Sequence, residues 1–481
     1  MVQSPPASDA RKGALNVQTD LIVLGGGSAA FAAAIQAAEM GKTVALVEGG
    51  TIGGTCVNVG CVPSKTLIAA AAARQAAQNH PFRGISTVAD GVDFPAVIGQ
   101  KDDLVRELRQ AKYIDVLKSY PSVRLVQAMG RVVSAEPLVV EAGGERLSGR
   151  RLVVATGSRP AVPPIDGLQG TPYWTSTEAL DAAELPESLI VIGGSAVGLE
   201  IAQFYARVGS NVTVIEAMDH LVPLEDADVG SALASWLEAD GLRIITGATV
   251  RSVSHDGEFT VTFEEDGRNE RVHGARLLVA TGRSPNAAGF GLEKLGVGTD
   301  RRGFIVTDEH QATSVDGIYA AGDVTGHAMF VYVAAYEGGL AARNAFGESG
   351  RRDLRALPRV TFTDPQVAAV GLTEEAAEAT GISCSCRVLP LEYVPRALAS
   401  RDTRGFVKIV AEVGTGKVLG VHILAPDAGE MIQPAVFAVK YEMTLDDIRD
   451  NFFPYLTMTE GLKLAALAFT KDVSKLSCCA G

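Results

Sequence analysis

Two stretches of the chain share one pattern of apolar and polar positions. Residues 20–48 read DLIVLGGGSAAFAAAIQAAEMGKTVALVE, and residues 188–216 read SLIVIGGSAVGLEIAQFYARVGSNVTVIE. In each, an apolar run is followed by a glycine-rich turn, an alanine-rich helical pattern, a further glycine and a β-branched run that ends in an acid. This order predicts a strand, a helix and a second strand. Because this βαβ unit occurs twice with the same internal spacing, the pattern predicts two dinucleotide-binding domains.

A second repeat indicates how these two domains are arranged along the chain. RRLVVATGSRP (150–160) and ARLLVATGRSP (275–285) each have the pattern of a buried strand that ends in Ala-Thr-Gly, and each follows one of the glycine-rich turns. IYAAGDVTG (318–326) has the pattern of one more strand and turn. We therefore expect the second nucleotide-binding domain to be inserted into the first.

From about residue 357 the pattern becomes that of an α+β domain. Strand patterns cover residues 358–371, 404–412 and 417–425, and helical patterns cover residues 431–443 and 462–473. The predicted fold class is α/β, with two Rossmann-like domains and a C-terminal α+β domain. The predicted segments are a disordered stretch at 1–16, a first nucleotide-binding domain at 17–160 and 286–356, a second at 161–285, the α+β domain at 357–473 and a flexible tail at 474–481.

Composition narrows the class of partner. The 481 residues are 47 % hydrophobic and carry a net charge of −13. This acidic, globular composition argues against nucleic acid or an anionic membrane as the partner. The apolar run at 21–38 contains three successive glycines, so we expect a strand, turn and helix there and no membrane insertion. The N-terminal residues lack the pattern of a secretory signal, and we expect a cytoplasmic protein.

The first glycine-rich turn, Gly25-x-Gly27-x-x-Ala30, is suited to a pyrophosphate. The glycines permit a tight turn and a close approach of the backbone, and the following helix offers its N-terminus to phosphate. Glu48 ends the second strand, where a carboxylate accepts hydrogen bonds from ribose hydroxyls. The alternative is a tight turn without a ligand.

The second turn is Gly193-x-Ser195-x-x-Gly198, in which serine replaces the middle glycine. We expect this turn to bind a nucleotide as well. Glu216 ends the following strand, and a carboxylate there suits the free 2′-hydroxyl of NADH and repels the 2′-phosphate of NADPH. On the residues alone, the pattern favours NADH.

The segment GGTCVNVGCVPSK (53–65) contains Cys56 and Cys61. We expect it to start as a loop and to enter a helix near Pro63, so that the two sulfurs can meet as a disulfide and the helix N-terminus can stabilise a thiolate. A structural zinc half-site is the alternative, but a second Cys/His pair at suitable spacing is missing from the sequence.

Together these motifs resemble the pyridine nucleotide-disulfide oxidoreductases, the family of glutathione reductase, dihydrolipoamide dehydrogenase and mercuric reductase. The resemblance covers nearly the whole chain and implies FAD in the first site, a nicotinamide nucleotide in the second and a homodimer built by the C-terminal domain. It implies that Cys61 is the thiolate in charge transfer with the flavin and Cys56 the interchange thiol. Lys65 would lie near flavin N5, paired with Glu200. The implied FAD contacts are Gly25, Gly27, Ser28, Ala30, Glu48, Gly54, Thr55, Lys65, Thr156, Gly157 and Asp323, and the implied nicotinamide-nucleotide contacts are Gly193, Ser195, Gly198, Glu200, Glu216 and Gly282.

The residues before Glu460 bear on the substrate. Disulfide reductases of this family carry His-Pro-Thr-x-x-Glu, in which the histidine exchanges protons with the leaving thiol. Here the segment reads FFPYLTMTEGLK, and Tyr455 stands where that histidine would be. A phenol with a pKa of about 10 is a poor proton shuttle near pH 7. This departure argues against exchange with a lipoyl or glutathione disulfide.

The chain ends in KLSCCAG, which places Cys478 and Cys479 on the predicted tail. Thiolates are soft ligands that select soft metals, although an incidental cysteine pair is the alternative. The sequences of the tail and of the cysteine motif resemble those of the mercuric reductases in this family. That resemblance implies that the tail of one subunit collects Hg(II) and passes it by thiolate exchange to Cys56 and Cys61 of the other, where two electrons reduce it to volatile Hg(0).

Further residues complete the expected site and leave alternatives open. Tyr113, in QAKYIDVL, matches a second active-site tyrosine of mercuric reductases, and a core aromatic is the alternative. The resemblance favours NADPH, whereas Glu216 favours NADH; we take NADPH, with NADH as the alternative. A dihydrolipoamide dehydrogenase-like or other low-molecular-weight disulfide reductase, and a thiol protein that binds mercury without turnover, are the competing functions. Cys384 and Cys386 are expected to be exposed, incidental thiols, with a metal or redox role as the alternative.

Overall fold

The computed structural model describes residues 16–476. The predictions for residues 1–15 and 477–481, Cys478 and Cys479 among them, lie outside the described residues. The described chain forms two compact units. The first comprises residues 16–58, 104–159 and 283–352, and the second comprises residues 59–103, 160–282 and 353–476. The three domain boundaries read from the sequence stay predictions.

A seven-stranded sheet forms the centre of the first unit. The strand Asn16–Leu24 pairs in parallel with Val44–Glu48 on one side and with Glu145–Val154 on the other. Its residues 21–24 are buried on both faces, as expected for parallel strands that are covered above and below. The full order is Val123–Gln127, Val44–Glu48, Asn16–Leu24, Glu145–Val154, Leu138–Ala142 and Gly130–Ala135, with Ile318–Ala320 also paired to Glu145–Val154.

The helix Ser28–Glu39 joins the first two strands, so the first predicted βαβ unit is confirmed. It packs against Val331–Ala345, and a Cβ at Gly338 would lie 2.1 Å from the Ala29 carbonyl oxygen, because small residues let the two helices approach closely. The other helical segments that lie in this unit are Gly54–Val59, the π-helical turn Gln110–Ile114, Asp115–Lys118, and the 3₁₀ turns Glu293–Leu295 and Asp323–Thr325.

The second unit contains a parallel four-stranded sheet and a separate antiparallel one. The helix Ala196–Val208 joins Ser188–Ile192 to Asn211–Ile215, which confirms the second predicted βαβ unit. The strand order of the parallel sheet is Arg243–Ile245, Asn211–Ile215, Ser188–Ile192 and Arg276–Val279. The antiparallel sheet consists of Thr249–Asp256, Glu258–Glu265 and Arg268–Gly274. The helices are Cys61–Gln78, Phe94–Arg109 (which ends in the first unit), Ser176–Leu180 and Ala227–Ala239.

Residues 353–476 form the predicted α+β fold around a five-stranded antiparallel sheet. Valines, isoleucines and leucines of its central strands and of the helix Ala428–Lys440 form one buried cluster. The predicted helix at 462–473 is shorter in the structure, because it ends at Leu467 and Asp472 starts a new 3₁₀ turn by accepting the Ser474 N–H. The strand order is Arg359–Thr361, Gln366–Gly371, Val418–Ala425, Phe406–Glu412 and Cys384–Pro390, and the helices are Glu374–Ala379, Pro395–Ser400, Ala428–Lys440, Leu445–Asp450 and Glu460–Leu467.

One helical stretch within residues 16–476, Gly54–Gln78, is long and apolar enough to cross a membrane by length and composition alone. Its larger part, Cys61–Gln78, packs against Ala196–Val208 within the second unit. Lys65 on this helix forms an ion pair with the buried Glu200. These contacts are those of a helix folded into a globular unit.

Candidate active site

The turn from 25 to 27 in the first unit has a backbone that requires glycine. Gly25 has a φ of +119°, and a Cβ there would lie 2.2 Å from the Ala155 carbonyl oxygen. Gly27 precedes Ser28–Glu39 and offers no capping side chain, so the N–H groups of the first helical turn face outward for an anion. A Cβ at Gly54 would lie 2.6 Å from the Gly27 Cα. The turn is therefore a cradle open to a pyrophosphate, and it fits FAD.

Glu48 lies at the end of Val44–Glu48, against the same turn. Its Oε1 accepts the Gly50 N–H, and a Cβ at Gly26 would lie 2.6 Å from its Oε2. The carboxylate is thus held beside the cradle, where a ribose would place its hydroxyls. Ser28 and Ala30 lie in the first turn of the following helix, and Thr55 lies in the helix Gly54–Val59.

Asp323 follows the strand Ile318–Ala320 and begins a 3₁₀ turn. Its Oδ2 accepts the Ser158 hydroxyl at 2.6 Å and lies 3.6 Å from the Arg283 Nε. Nearby, the Thr156 hydroxyl donates to the Asn286 carbonyl at 2.6 Å, and Gly157 lies between Thr156 and Ser158. Sequence reasoning named Asp323, Thr156 and Gly157, but it missed Ser158 and Arg283, which fix the carboxylate.

Glu337 is a further residue that sequence reasoning missed. Its side chain is 1 % exposed, its Oε2 accepts the Gly322 N–H at 2.8 Å, and its Oε1 lies 2.9 Å from His327 Nδ1. The carboxylate therefore holds the backbone of the turn that presents Asp323. The available signal was a lone charged residue in the otherwise uncharged run VYVAAYEGGLAA (331–342).

The turn at Gly193 in the second unit repeats the geometry of the first. Gly193 has a φ of +114°, and a Cβ there would lie 2.4 Å from the Ala280 carbonyl oxygen. Ser195 precedes Ala196–Val208 without capping it, Gly198 packs against the Gly193 carbonyl, and the Gly282 carbonyl accepts the Ala161 N–H at 2.9 Å. The residues fit a second dinucleotide.

Glu216 is buried at the end of the strand Asn211–Ile215. Its side chain is 8 % exposed, and its two oxygens accept the Gly194 N–H at 2.6 Å and the Met218 N–H at 2.8 Å. Each carboxylate oxygen retains a lone pair for a ribose hydroxyl. The backbone N–H groups offset part of its negative charge, which weakens its repulsion of a 2′-phosphate.

The segment around the cysteine pair is helical on both sides of Gly60. The expectation of a loop before Pro63 is wrong, because Cys56 lies in the helix Gly54–Val59, and Cys61 is the first residue of Cys61–Gln78. The Asn58 side chain stabilises the shorter helix by donating to the Ile52 and Gly54 carbonyls. Both cysteine side chains are half-buried.

Lys65 and Glu200 form an ion pair within the second unit. The Lys65 Nζ lies 2.6 Å from a Glu200 carboxylate oxygen and 4.5 Å from the centre of the Phe362 ring. The other Glu200 oxygen accepts the Phe362 N–H at 3.0 Å. Charge, ring and backbone together fix the direction of the lysine side chain. Phe362 is another positioning residue that the sequence did not indicate.

Tyr113 lies in the π-helical turn Gln110–Ile114. Its ring meets that of Phe31 edge to face at 4.7 Å between centroids. A Cβ at Gly53 would lie 3.5 Å from the Tyr113 ring, so the tyrosine flanks the start of the cysteine segment. Tyr113 thus packs against an apolar neighbour and lies beside the motif, and its predicted part in the active site stays a prediction.

Tyr455 and Glu460 lie in the C-terminal part of the second unit. Tyr455 is 51 % exposed and precedes Leu456, whose φ is +63°. Glu460 begins the helix Glu460–Leu467 and is buried, with one carboxylate oxygen that has no hydrogen-bond partner among the described residues. Burial raises the pKa of Glu460. The predicted contributions of Cys478 and Cys479 lie outside the described residues.

Cys384 and Cys386 are half-buried on the strand Cys384–Pro390. The expectation of exposed thiols is wrong, because the helix Glu374–Ala379 packs against this strand. Burial and the carboxylate of Glu374 raise the pKa of the Cys386 thiol to about 12. Within residues 16–476, no three His, Cys, Asp or Glu side chains are grouped as a metal site.

Two glycine turns that fit dinucleotides, together with a cysteine pair that leads into a helix anchored by a lysine–glutamate ion pair, define a two-nucleotide dithiol oxidoreductase. The chain belongs to the pyridine nucleotide-disulphide oxidoreductase family, whose model matches residues 19–338. The dimerisation domain of the same family matches residues 357–466. The protein therefore binds FAD and a pyridine nucleotide, and its C-terminal domain is of the type that forms homodimers.

Relatives of this chain include proteins named mercuric reductase. The chain is 45 % identical to that of Staphylococcus aureus over 96 % of this chain and 84 % of the relative. It is 46 % identical to that of Streptomyces lividans, over 96 % of this chain and 98 % of the relative. Among solved structures, LpdA of Mycobacterium tuberculosis is 30 % identical with a TM-score of 0.83, over 95 % of this chain and 100 % of that chain. The HOCl-induced flavoprotein disulfide reductase RclA of Escherichia coli is 30 % identical with a TM-score of 0.82, over 94 % and 100 %.

Proposed function

We propose that this protein reduces Hg(II) to volatile Hg(0) with electrons from NADPH, NADH being the alternative donor. The similarity to mercuric reductases over 96–97 % of the chain carries this proposal. Tyr455 supports it, because thiolate exchange at a metal requires no imidazole to protonate a leaving thiol. We expect the protein in the cytoplasm, where thiols are kept reduced.

Cys56 and Cys61 are the proposed station at which the metal is reduced. Their thiolates displace two thiolate ligands from an incoming Hg(II) complex, and the metal then bridges the two sulfurs. Two electrons convert Hg(II) to Hg(0), which leaves, and both cysteines return to thiolates. FAD held at the Gly25–Gly27 turn would supply this electron pair, taken from the reduced pyridine nucleotide.

The surrounding side chains orient and stabilise these thiolates. The phenols of Tyr113 and Tyr455 donate hydrogen bonds to thiolates around the metal, and the fixed cation of Lys65 stabilises negative charge beside the flavin. Glu200 holds the lysine in that direction. The rigid Phe31 contact keeps the Tyr113 ring in one orientation.

The proposed dimer shares its active sites between subunits. Cys478 and Cys479 of one subunit collect Hg(II) from thiol complexes and pass it to the Cys56–Cys61 pair of the partner. The exposed aromatic side chains of Phe437, Tyr441 and Phe452 support an interface formed by the C-terminal domain.

The experiment is an assay of the purified flavoprotein with Hg(II) and excess small thiol. NADPH and NADH oxidation and the release of volatile mercury are measured together. We expect mercury-dependent oxidation that is lost in Cys56→Ser and Cys61→Ser and retained in the control Cys384→Ser. Brisk turnover of lipoamide or glutathione disulfide without mercury-dependent oxidation would assign the protein to the disulfide reductases. Binding of mercury without oxidation would identify a non-turnover thiol protein.

A second experiment tests the tail. The double variant Cys478→Ala/Cys479→Ala should lose turnover mainly with Hg(II) held by bulky or tight thiol ligands. Mixed dimers of this variant with Cys56→Ser/Cys61→Ser subunits distinguish delivery of Hg(II) between subunits from delivery within one subunit. Delivery between subunits predicts one working site per mixed dimer, whereas delivery within a subunit predicts that this site is also impaired.

A further inference from the structure

Cys384 and Cys386 lie on one face of an edge strand. Cys384–Pro390 is the last strand of the five-stranded sheet and pairs with Phe406–Glu412, so that Cys386 lies opposite Val410. Successive side chains of a strand alternate between faces, so residues 384 and 386 share a face while Leu389 points to the other side, into the buried cluster. The two thiols are therefore neighbours by the geometry of the strand.

The helix Glu374–Ala379 covers this pair of thiols. The Cys384 thiol donates to the Glu374 carbonyl oxygen at 4.0 Å between sulfur and oxygen. The Cys386 thiol forms a hydrogen bond with the Glu374 side chain, and the two cysteines are close enough to influence each other electrostatically. Lys408 lies 3.4 Å from the same carboxylate. The thiols thus share a partly enclosed site with one carboxylate.

The geometry of the strand selects among possible uses of these thiols. Cα atoms two apart on a strand are separated by about 6.8 Å, the upper limit for a disulfide. Two thiolates that share a metal span about 4.6 Å between sulfurs, roughly twice a metal–sulfur bond of about 2.3 Å, which is a less demanding approach than a direct S–S bond of about 2 Å. Within the described residues, no group of three His, Cys, Asp or Glu side chains is arranged to hold a metal, and the Glu374 carboxylate beside the pair is already paired with Lys408.

We propose that Cys384 and Cys386 bind one soft, thiophilic metal ion such as Hg(II) or Ag(I) in a two-coordinate S–metal–S bridge. For a mercury bis-thiolate, both cysteine sulfurs form bonds to mercury, both original thiols leave, and the two cysteine protons depart with them. No electron is transferred, so this site retains metal. It is separate in sequence and chemistry from the Cys56–Cys61 pair, and it does not depend on the proposed reduction.

The test measures metal retained per chain. The full-length flavoprotein, the double variant Cys384→Ser/Cys386→Ser and the control Ser385→Ala are dialysed against Hg(II) or Ag(I) in excess glutathione, and bound metal is counted. We expect the wild type and Ser385→Ala to retain one more ion per chain than the double variant. Zn(II) should give no difference between them. Equal retention of Hg(II) and Ag(I) in all three proteins would overturn the proposal.

Two further measurements distinguish metal binding from misfolding and from a disulfide. The double variant should keep the flavin absorbance and melting temperature of the wild type; if it does not, the comparison is made with the single variants Cys384→Ser and Cys386→Ser, each of which should lose the same ion. A peptide containing residues 384–386 that is two mass units lighter without reductant would overturn the proposal by identifying a disulfide. Loss of the extra ion with unchanged mercury-dependent oxidation separates this site from the proposed activity.

Discussion

At the scale of single residues, an acid lies beside each of the two nucleotide turns. Glu48 and Glu216 end equivalent strands, but Glu216 accepts the Gly194 N–H of its turn, whereas Glu48 accepts the Gly50 N–H just after its own strand. Position and residue type were predicted from the sequence, because an acid at the end of the second strand is part of the pattern. Their hydrogen-bond partners could not be predicted from the sequence, because the direction of a carboxylate depends on turn geometry that apolar periodicity does not encode.

Changing Glu216→Gln should shift the choice of electron donor. The amide keeps the shape and one acceptor oxygen but removes the charge, so repulsion of a 2′-phosphate falls. We expect the ratio of kcat/KM for NADPH to kcat/KM for NADH to rise about tenfold, equivalent to about 1.4 kcal/mol. Steady-state kinetics with both donors measure it. The exposed Glu238→Gln is the control, and an unchanged ratio in Glu216→Gln would rule out a part for this charge.

Glu460→Gln should make the protein more stable at neutral pH. Burial raises the pKa of Glu460, so the folded state holds its proton more tightly than the unfolded state. Its contribution is favourable below the unfolded pKa of about 4.3 and is lost as pH rises through the folded pKa. We expect a melting temperature about 2 °C above wild type at pH 7, a gap that closes near pH 4. The exposed Glu430→Gln should show no such pH dependence.

At the scale of elements, the βαβ units and the antiparallel C-terminal sheet were predicted because their periodicities are strong. The helix Gly54–Val59 was missed, because GTCVNV has glycine and β-branched residues that disfavour helix in isolation. The Asn58 side chain stabilises this helix despite its low helix propensity, because it donates hydrogen bonds to the Ile52 and Gly54 carbonyls. A hydrogen bond of this kind depends on the folded backbone and leaves no periodic trace.

Glu337→Ala should weaken the binding of FAD. It leaves the buried Gly322 N–H without its acceptor, at a cost of about 1–3 kcal/mol, and it loosens the turn that presents Asp323. We expect the Kd for FAD to rise about tenfold or more, as measured by flavin fluorescence during reconstitution of the apoprotein. Glu348→Ala, on an exposed side chain of the same unit, serves as the control. Unchanged FAD affinity in a folded Glu337→Ala protein would contradict this role.

At the scale of the whole molecule, the class of protein could be predicted from the sequence, whereas the surface that joins two subunits could not. A repeated unit and a change of pattern near residue 357 identify the separate folds. The surface that joins two subunits has no periodic signal of its own. The C-terminal domain, on which we propose that surface, has a cleft of about 390 Å³ with mostly apolar walls, formed by residues that include Pro434, Phe437, Met443, Phe452, Phe453 and Leu462.

Phe452→Glu should dissociate the dimer and abolish mercury turnover together. Phe452 is 99 % exposed beside the cleft, and a charge there opposes burial of the aromatic surface. Sedimentation should shift from a dimer toward the 50.2 kDa monomer. Val88→Glu, at an exposed apolar side chain outside the C-terminal domain, is the control. A monomeric variant that keeps full activity would contradict active sites shared between subunits.

The π-helical turn Gln110–Ile114 determines the direction in which the Tyr113 side chain points. Such a turn holds one residue more than the α-helix around it, and one residue corresponds to a rotation of about 100°. Deleting Ala111 would restore regular winding and turn Tyr113 away from Phe31. The phenol therefore owes its orientation to chain length as well as to residue type. Two homologues can share this tyrosine in an alignment and still differ in whether it lies beside the cysteine segment, according to whether each has the inserted residue.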